Sequence, residues 1–251
     1  MKTLIDHRRV QGIPVLEFYD PEAPSSLPLV FILHGFTGNK EDHLVQGYVL
    51  AREGFYAVSM DLHLHGELGD TPFVPAKVAP RLVEVIGRSV ENLAKLASAY
   101  EESKIADASR IGLMGISLGG AVIYHFLPRR TPNIRAAVCM IAGPSPIADI
   151  TFRNVQKLFP DFGVTDELIA ALSVTSRSLP FLEGVSDFPL LMQYGQADPL
   201  IPVDEVRRLY QEVKHRYTNP AMIEFIEYKD VGHETPPAMY AQASKWFRKY
   251  L

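Results

Sequence analysis

The chain holds one cysteine, Cys139, so it can form no internal disulfide. Its place in Ala-Ala-Val-Cys139-Met-Ile-Ala marks it as a small hydrophobe of a buried strand. There is no excess of basic charge. Against 29 Asp and Glu stand 25 Lys and Arg, interspersed, for a formal net charge of −4. That balance excludes the electrostatic footprint of a nucleic-acid binder, and the Arg129-Arg130 pair reads as a solvated helix end. No apolar run is long enough to span a bilayer. The opening MKTLIDHRRV puts Asp, His and two Arg where a secretory signal needs apolar residues. Internal repeats and low-complexity segments are absent. So is a metal-ligand spacing: the histidines of His63-Leu-His65 would face opposite ways if extended, and no third ligand is evident. The expectation is a cytoplasmic protein with no metal, no cofactor and no membrane partner; nothing in the sequence sets its oligomeric state.

What is present is a chain of 251 residues, 47% hydrophobic, in which short apolar runs alternate with stretches of helical period. The apolar runs predict strands at Ile13–Tyr19, Leu29–His34, Tyr56–Asp61, Arg110–Met114, Ala136–Ala142, Leu190–Gly195 and Met222–Tyr228. Most are apolar on both faces, as strands covered by helices on both sides must be. Helical periodicity falls at Lys40–Arg52 behind the N-cap Asn39, Arg81–Tyr100, Leu118–Leu127, Asp204–His215 and Pro237–Leu251. Of the helical histidines, His43 and His215 read as solvent-facing and His125 as packed. This alternation predicts an α/β fold, a doubly wound and mostly parallel sheet flanked by helices. One stretch breaks the rhythm. Residues 144–188 form a long connection with two weak helical patterns and several phenylalanines, which predicts a small helical cap inserted in a single domain, 1–251.

Chemistry enters with Gly115-Ile116-Ser117-Leu118-Gly119, a G-x-S-x-G pattern between a strand and a helix. On so tight a turn a serine hydroxyl stands exposed above the sheet, and flanking side chains would collide with the neighbouring backbone. A serine needs a base to take its proton, and the base needs a carboxylate to orient it. Two further strand-end loops supply candidates, Asp198 in GQADPLIP and His233 in DVGHET. Asp149, Asp187 and Asp230 are the competing carboxylates. The oxyanion donors expected in this arrangement are the backbone N–H of Leu118 and, from the loop His34-Gly-Phe36-Thr-Gly, that of Phe36. His34 is the competing base; its other reading is a loop-shaping residue bonded to backbone. In the cap, Phe152, Phe159, Phe162 and Phe181 are candidates for an apolar substrate wall.

The segments HGFTG (34–38), DLHLHGE (61–67), GISLGG (115–120), GQADPLIP (195–202) and GHE (232–234) together resemble those of α/β-hydrolases, in particular the serine esterases of the dienelactone hydrolase and prolyl oligopeptidase-like branch. The resemblance implies the α/β-hydrolase fold, with Ser117 as nucleophile, Asp198 as acid and His233 as base. Asp61 and His65-Gly66 match a loop of that family near the site and read as structural, with His63 or His65 as the alternative substrate contact. Two departures stand out. Dienelactone hydrolases proper use a cysteine where this chain has Ser117, and the propeller of prolyl oligopeptidases is missing. The function expected is hydrolysis of small acyl esters through a covalent acyl-enzyme. A peptidase or thioesterase of the same fold is the alternative within the class, and an inactive hydrolase-fold binding protein the alternative outside it.

Overall fold

The computed structural model describes residues 2–23, 26–143, 147–177 and 187–251. Eight strands form one sheet: β1 Leu4–Val10, β2 Ile13–Tyr19, β3 Pro28–Leu33, β4 Tyr56–Met60, β5 Asp107–Ile116, β6 Ile134–Met140, β7 Leu190–Gly195 and β8 Ile223–Tyr228. Their order is β1-β2-β4-β3-β5-β6-β7-β8. β1 and β2 pair antiparallel, as do β2 and β4; every other pairing is parallel. The helices are α1 Leu44–Arg52, the short α2 Pro75–Val78, α3 Leu82–Ser103, α4 Leu118–Phe126, α5 Ala148–Leu158, α6 Asp166–Arg177, α7 Val203–Lys214 and α8 Pro237–Tyr250. Among the described residues no helix is long and apolar enough to cross a membrane.

The two-sided apolar strands account for the layering. Along β3, Leu29, Phe31 and Leu33 enter the core under α3 and α4, whereas Val30 and Ile32 enter the one under α1 and α8. A side-chain period of two thus feeds both layers from one run of sequence. The seven predicted strands are present, β2 and β7 with the predicted ends and the other five with shifted ones. The eighth, β1, was not expected: its residues LIDHRRV are exposed or half-buried, so the apolar signal is missing. It is an edge strand, joined to β2 through Gln11 and Gly12 at φ 52° and 78°, a two-residue hairpin turn. Asn39 caps as expected, accepting from the Glu41 N–H at 3.0 Å, although the first turn after it is a 3-10 turn.

One prediction fails here. His43 is buried rather than solvent-facing. It ends the 3-10 turn before α1, and among the described residues neither ring nitrogen has a hydrogen-bond partner. The outward face of α1 carries Val45 and Tyr48 instead.

Candidate active site

Ser117 joins β5 to α4 at φ 50° and ψ −111°. A serine in that region costs on the order of 1–3 kcal/mol, so the surroundings must hold it there. They do: its N–H donates to Met140 O in β6 at 2.9 Å, and its carbonyl accepts from Ala121 N–H in the first turn of α4 at 3.0 Å. The flanking glycines follow from close approach. A Cβ on Gly119 would stand 2.2 Å from Leu33 O, and one on Gly115 2.6 Å from the Gly119 backbone. Strand and helix pass too near each other for any side chain.

Three loops at the carboxyl ends of strands meet above this turn, as expected for an open α/β sheet. Ser117 Oγ lies 2.9 Å from His233 Nε2. His233 Nδ1 lies 2.8 Å from Asp198 Oδ2. The Asp198 side chain is closed to solvent, and its second oxygen accepts from Leu200 N–H at 2.8 Å and Ile201 N–H at 2.9 Å. An ionised carboxylate only accepts, so Nδ1 carries the hydrogen and Nε2 is left to take the serine proton. The competing carboxylates lie elsewhere. Asp187 binds Thr218 and Asn219, Asp149 is in the first turn of α5, and Asp230 sits in a turn at φ 58°.

The loop after β3 passes beside the serine: a Cβ on Gly35 would be 3.6 Å from Ser117 Cβ. Its shape is set by His34, whose Nδ1–H donates to Gly35 O at 2.7 Å and whose Nε2 accepts from Leu62 N–H at 3.0 Å. Both nitrogens are used, and burial holds the ring neutral down to about pH 3. His34 is the loop-shaping residue, not a base. Behind it, Asp61 accepts from Lys40 N–H at 2.9 Å, Lys40 Nζ at 3.1 Å and Glu67 N–H at 3.0 Å. Burial opposes the charge on Lys40, but Glu41, Glu67 and Asp61 outweigh it and raise the ammonium above its ordinary value. Phe36 packs in an aromatic group with His65, Phe73 and Phe162. His63 turns to Glu84 and His65 is buried against Phe73; neither lines the cavity.

A cavity of about 640 Å³ opens from Ser117 and His233. Phe152, Phe159 and Phe162 line it, as does Phe36; Phe181 lies outside the described residues. The sequence reading missed the facing wall, built from Leu82, Val83, Ile86, Gly87 and Val90 of α3. The signal is there in the sequence, since Leu82, Val83, Ile86 and Val90 fall on one apolar stripe of α3, but a stripe does not say whether it faces a core or a cavity. Arg129 is exposed, as the solvated reading expects, and also borders the cavity. Among the described residues no group of three or more His, Cys, Asp or Glu is placed to hold a metal.

Comparison with known proteins gives the family and the fold. The model of the dienelactone hydrolase family matches residues 17–177. The YitV protein of Bacillus subtilis is 30% identical over 98% of this chain and 99% of its own, and the esterase YjfP of Escherichia coli is 25% identical over the same shares. Among solved structures, TT1662 of Thermus thermophilus superposes with a TM-score of 0.77 at 24% identity, covering 99% of this chain and 98% of its own. That likeness carries the α/β-hydrolase fold. With a family match running from the end of β2 to the end of α6, more than half of the chain, and a relative aligned end to end, the chain belongs to the dienelactone hydrolase family.

Proposed function

We propose that the chain is a cytoplasmic serine carboxylesterase for small acyl esters, a single domain whose expected cap, 144–188, is represented among the described residues by α5 and α6. Ser117 Oγ attacks the acyl carbon while His233 Nε2 takes its proton. Asp198 keeps His233 in the required tautomer and stabilises the imidazolium that forms. The Leu118 and Phe36 N–H groups bind the tetrahedral oxyanion at the start of α4, where the helix dipole adds to them. His233 then returns the proton to the leaving alcohol, and water, activated by the same imidazole, releases the acid. The observation that carries this reading is the unbroken chain of hydrogen bonds from Ser117 through His233 to Asp198, at 2.9 and 2.8 Å. The esterase name of YjfP supports an ester as the substrate.

A fluorophosphonate tests it. Labelling should fall on Ser117 alone, and Ser117→Ala should lose roughly 10⁶-fold in kcat on p-nitrophenyl butyrate, the scale of removing an activated serine. Labelling at another residue overturns the assignment, and an absence of ester turnover in the unaltered protein overturns the esterase reading.

A further inference from the structure

The cavity continues well beyond the atoms that the ester reaction uses. From Ser117 its lining follows one face of α4 and the turn after it, through Ala121 and His125 to Arg129, at steps of four residues. Opposite it runs α3, with Ile86, Gly87 and Val90. Both helices descend from the carboxyl edge of the sheet, since α3 leads into the start of β5 and α4 leaves its end. The space between them is therefore elongated. A Cβ on Gly87 would meet nothing within 4 Å, so this glycine leaves room in the passage and is not forced by packing. Twelve residues at the helical rise put Arg129 roughly 18 Å beyond Ser117. A helical side chain leans back towards the N-terminus, which returns the guanidinium towards His125.

The walls between are apolar, and the far end is not. Arg129 has no ion-pair partner among the described residues, whereas Arg130 turns away to stack over Phe188 at 4.5 Å and bond Leu127 O. His125 donates Nδ1–H to Ala121 O at 2.8 Å, and burial lowers its pKa, with the guanidinium of Arg129 acting in the same direction. His125 is thus neutral, and the charge at this end comes from Arg129.

We propose that the acyl group is a linear chain ending in an anion, the half-ester of a dicarboxylic acid of roughly eight to eleven carbons, whose far carboxylate pairs with Arg129. This rests on Ser117 being the nucleophile of an esterase. Ethyl half-esters of dicarboxylic acids of increasing length are compared with the corresponding diethyl esters. The half-ester should be favoured in kcat/KM by about tenfold, and only near the stated length, the scale of one hydrogen bond to a charged group. Arg129→Gln should bring the ratio to about one, and Gly87→Leu should move the optimum to shorter chains. A ratio that is flat with length, or equal in Arg129→Gln, overturns the proposal while leaving the esterase reading intact. If the protein hydrolyses no ester at all, ethyl butyrate included, the esterase reading has failed. Calorimetric titration with decanedioic acid monoamide then decides the anion site: weaker binding by Arg129→Gln supports it and equal binding overturns it.

Discussion

Asp198 Oδ2 lies 2.8 Å from His233 Nδ1, in a carboxylate closed to solvent and held on its other oxygen by two backbone N–H groups. Asp198→Asn keeps the shape but offers an amide that can present its N–H₂ to Nδ1. The imidazole then takes the wrong tautomer. Ester turnover should fall on the order of 10⁴-fold in kcat with the fold retained, as in other triads made amides. Asp149→Asn and Asp230→Asn should each cost about tenfold or less. A mild Asp198→Asn beside a crippling Asp149→Asn would move the acid to the preceding strand.

Lys40 and Asp61 are both almost wholly buried, with Nζ 3.1 Å from Oδ2. Removing one member of such a pair strands the other, at about 3–5 kcal/mol. Lys40→Met should lower the urea midpoint accordingly. Because the two groups share one network, Lys40→Met with Asp61→Leu should cost clearly less than the sum of the single changes. Additive losses would show that the pair is not coupled.

Two glycines make opposite predictions. Gly119→Ala would bring a Cβ to 2.2 Å from Leu33 O, against backbone that cannot yield. It should destabilise the fold and abolish fluorophosphonate labelling. Gly87→Ala meets nothing and lies inside α3, so it should stabilise by about 0.5–1 kcal/mol, the helix penalty of glycine. Thermal melting of the two variants measures both.

His43 and His34 set an acid limit on stability. Burial lowers His43 to about 4 and His34 to about 3, both below the ordinary histidine value of 6.5. Between those values the unfolded chain binds protons that the folded chain refuses. Stability is therefore full above about pH 6.5 and falls as the pH drops towards 4 and then 3. Each ring contributes a slope of up to about 1.4 kcal/mol per pH unit. His43→Leu removes one ring and two unpartnered buried nitrogens, so it should raise the melting temperature at pH 7 and raise it further at pH 5. A variant that melts lower at pH 5 than the parent would contradict this.

The layered sheet could be read from sequence because both-sided apolar runs such as Leu29–Leu33 have few other uses. Ser117, Asp198 and His233 were legible for a related reason: each sits just past a strand end, and strand ends in this topology converge. What escaped was whatever announces itself by contact. β1 is polar because it covers an edge, and only the Gln11-Gly12 turn betrayed it. Val83 and Gly87 on α3 are exposed to a cavity, which periodicity cannot tell from exposure to water. His43 sits at the junction of two helical turns, where the apolar face cannot be extrapolated.

The hydroxyl of Ser117 finds its hydrogen-bond partner 116 residues further along the chain, and the strand preceding that partner, β8, is the last in sequence and stands at an edge of the sheet. During synthesis the turn at Ser117 emerges well before β8, as does the β3 and β6 backbone that holds it. The turn is therefore complete in sequence early, but its hydroxyl gains the His233 partner only once the carboxyl-terminal strand has paired with β7. Contacts so distant in sequence close late and slowly. Appearance of fluorophosphonate labelling at Ser117 during refolding should thus time the final docking of the chain.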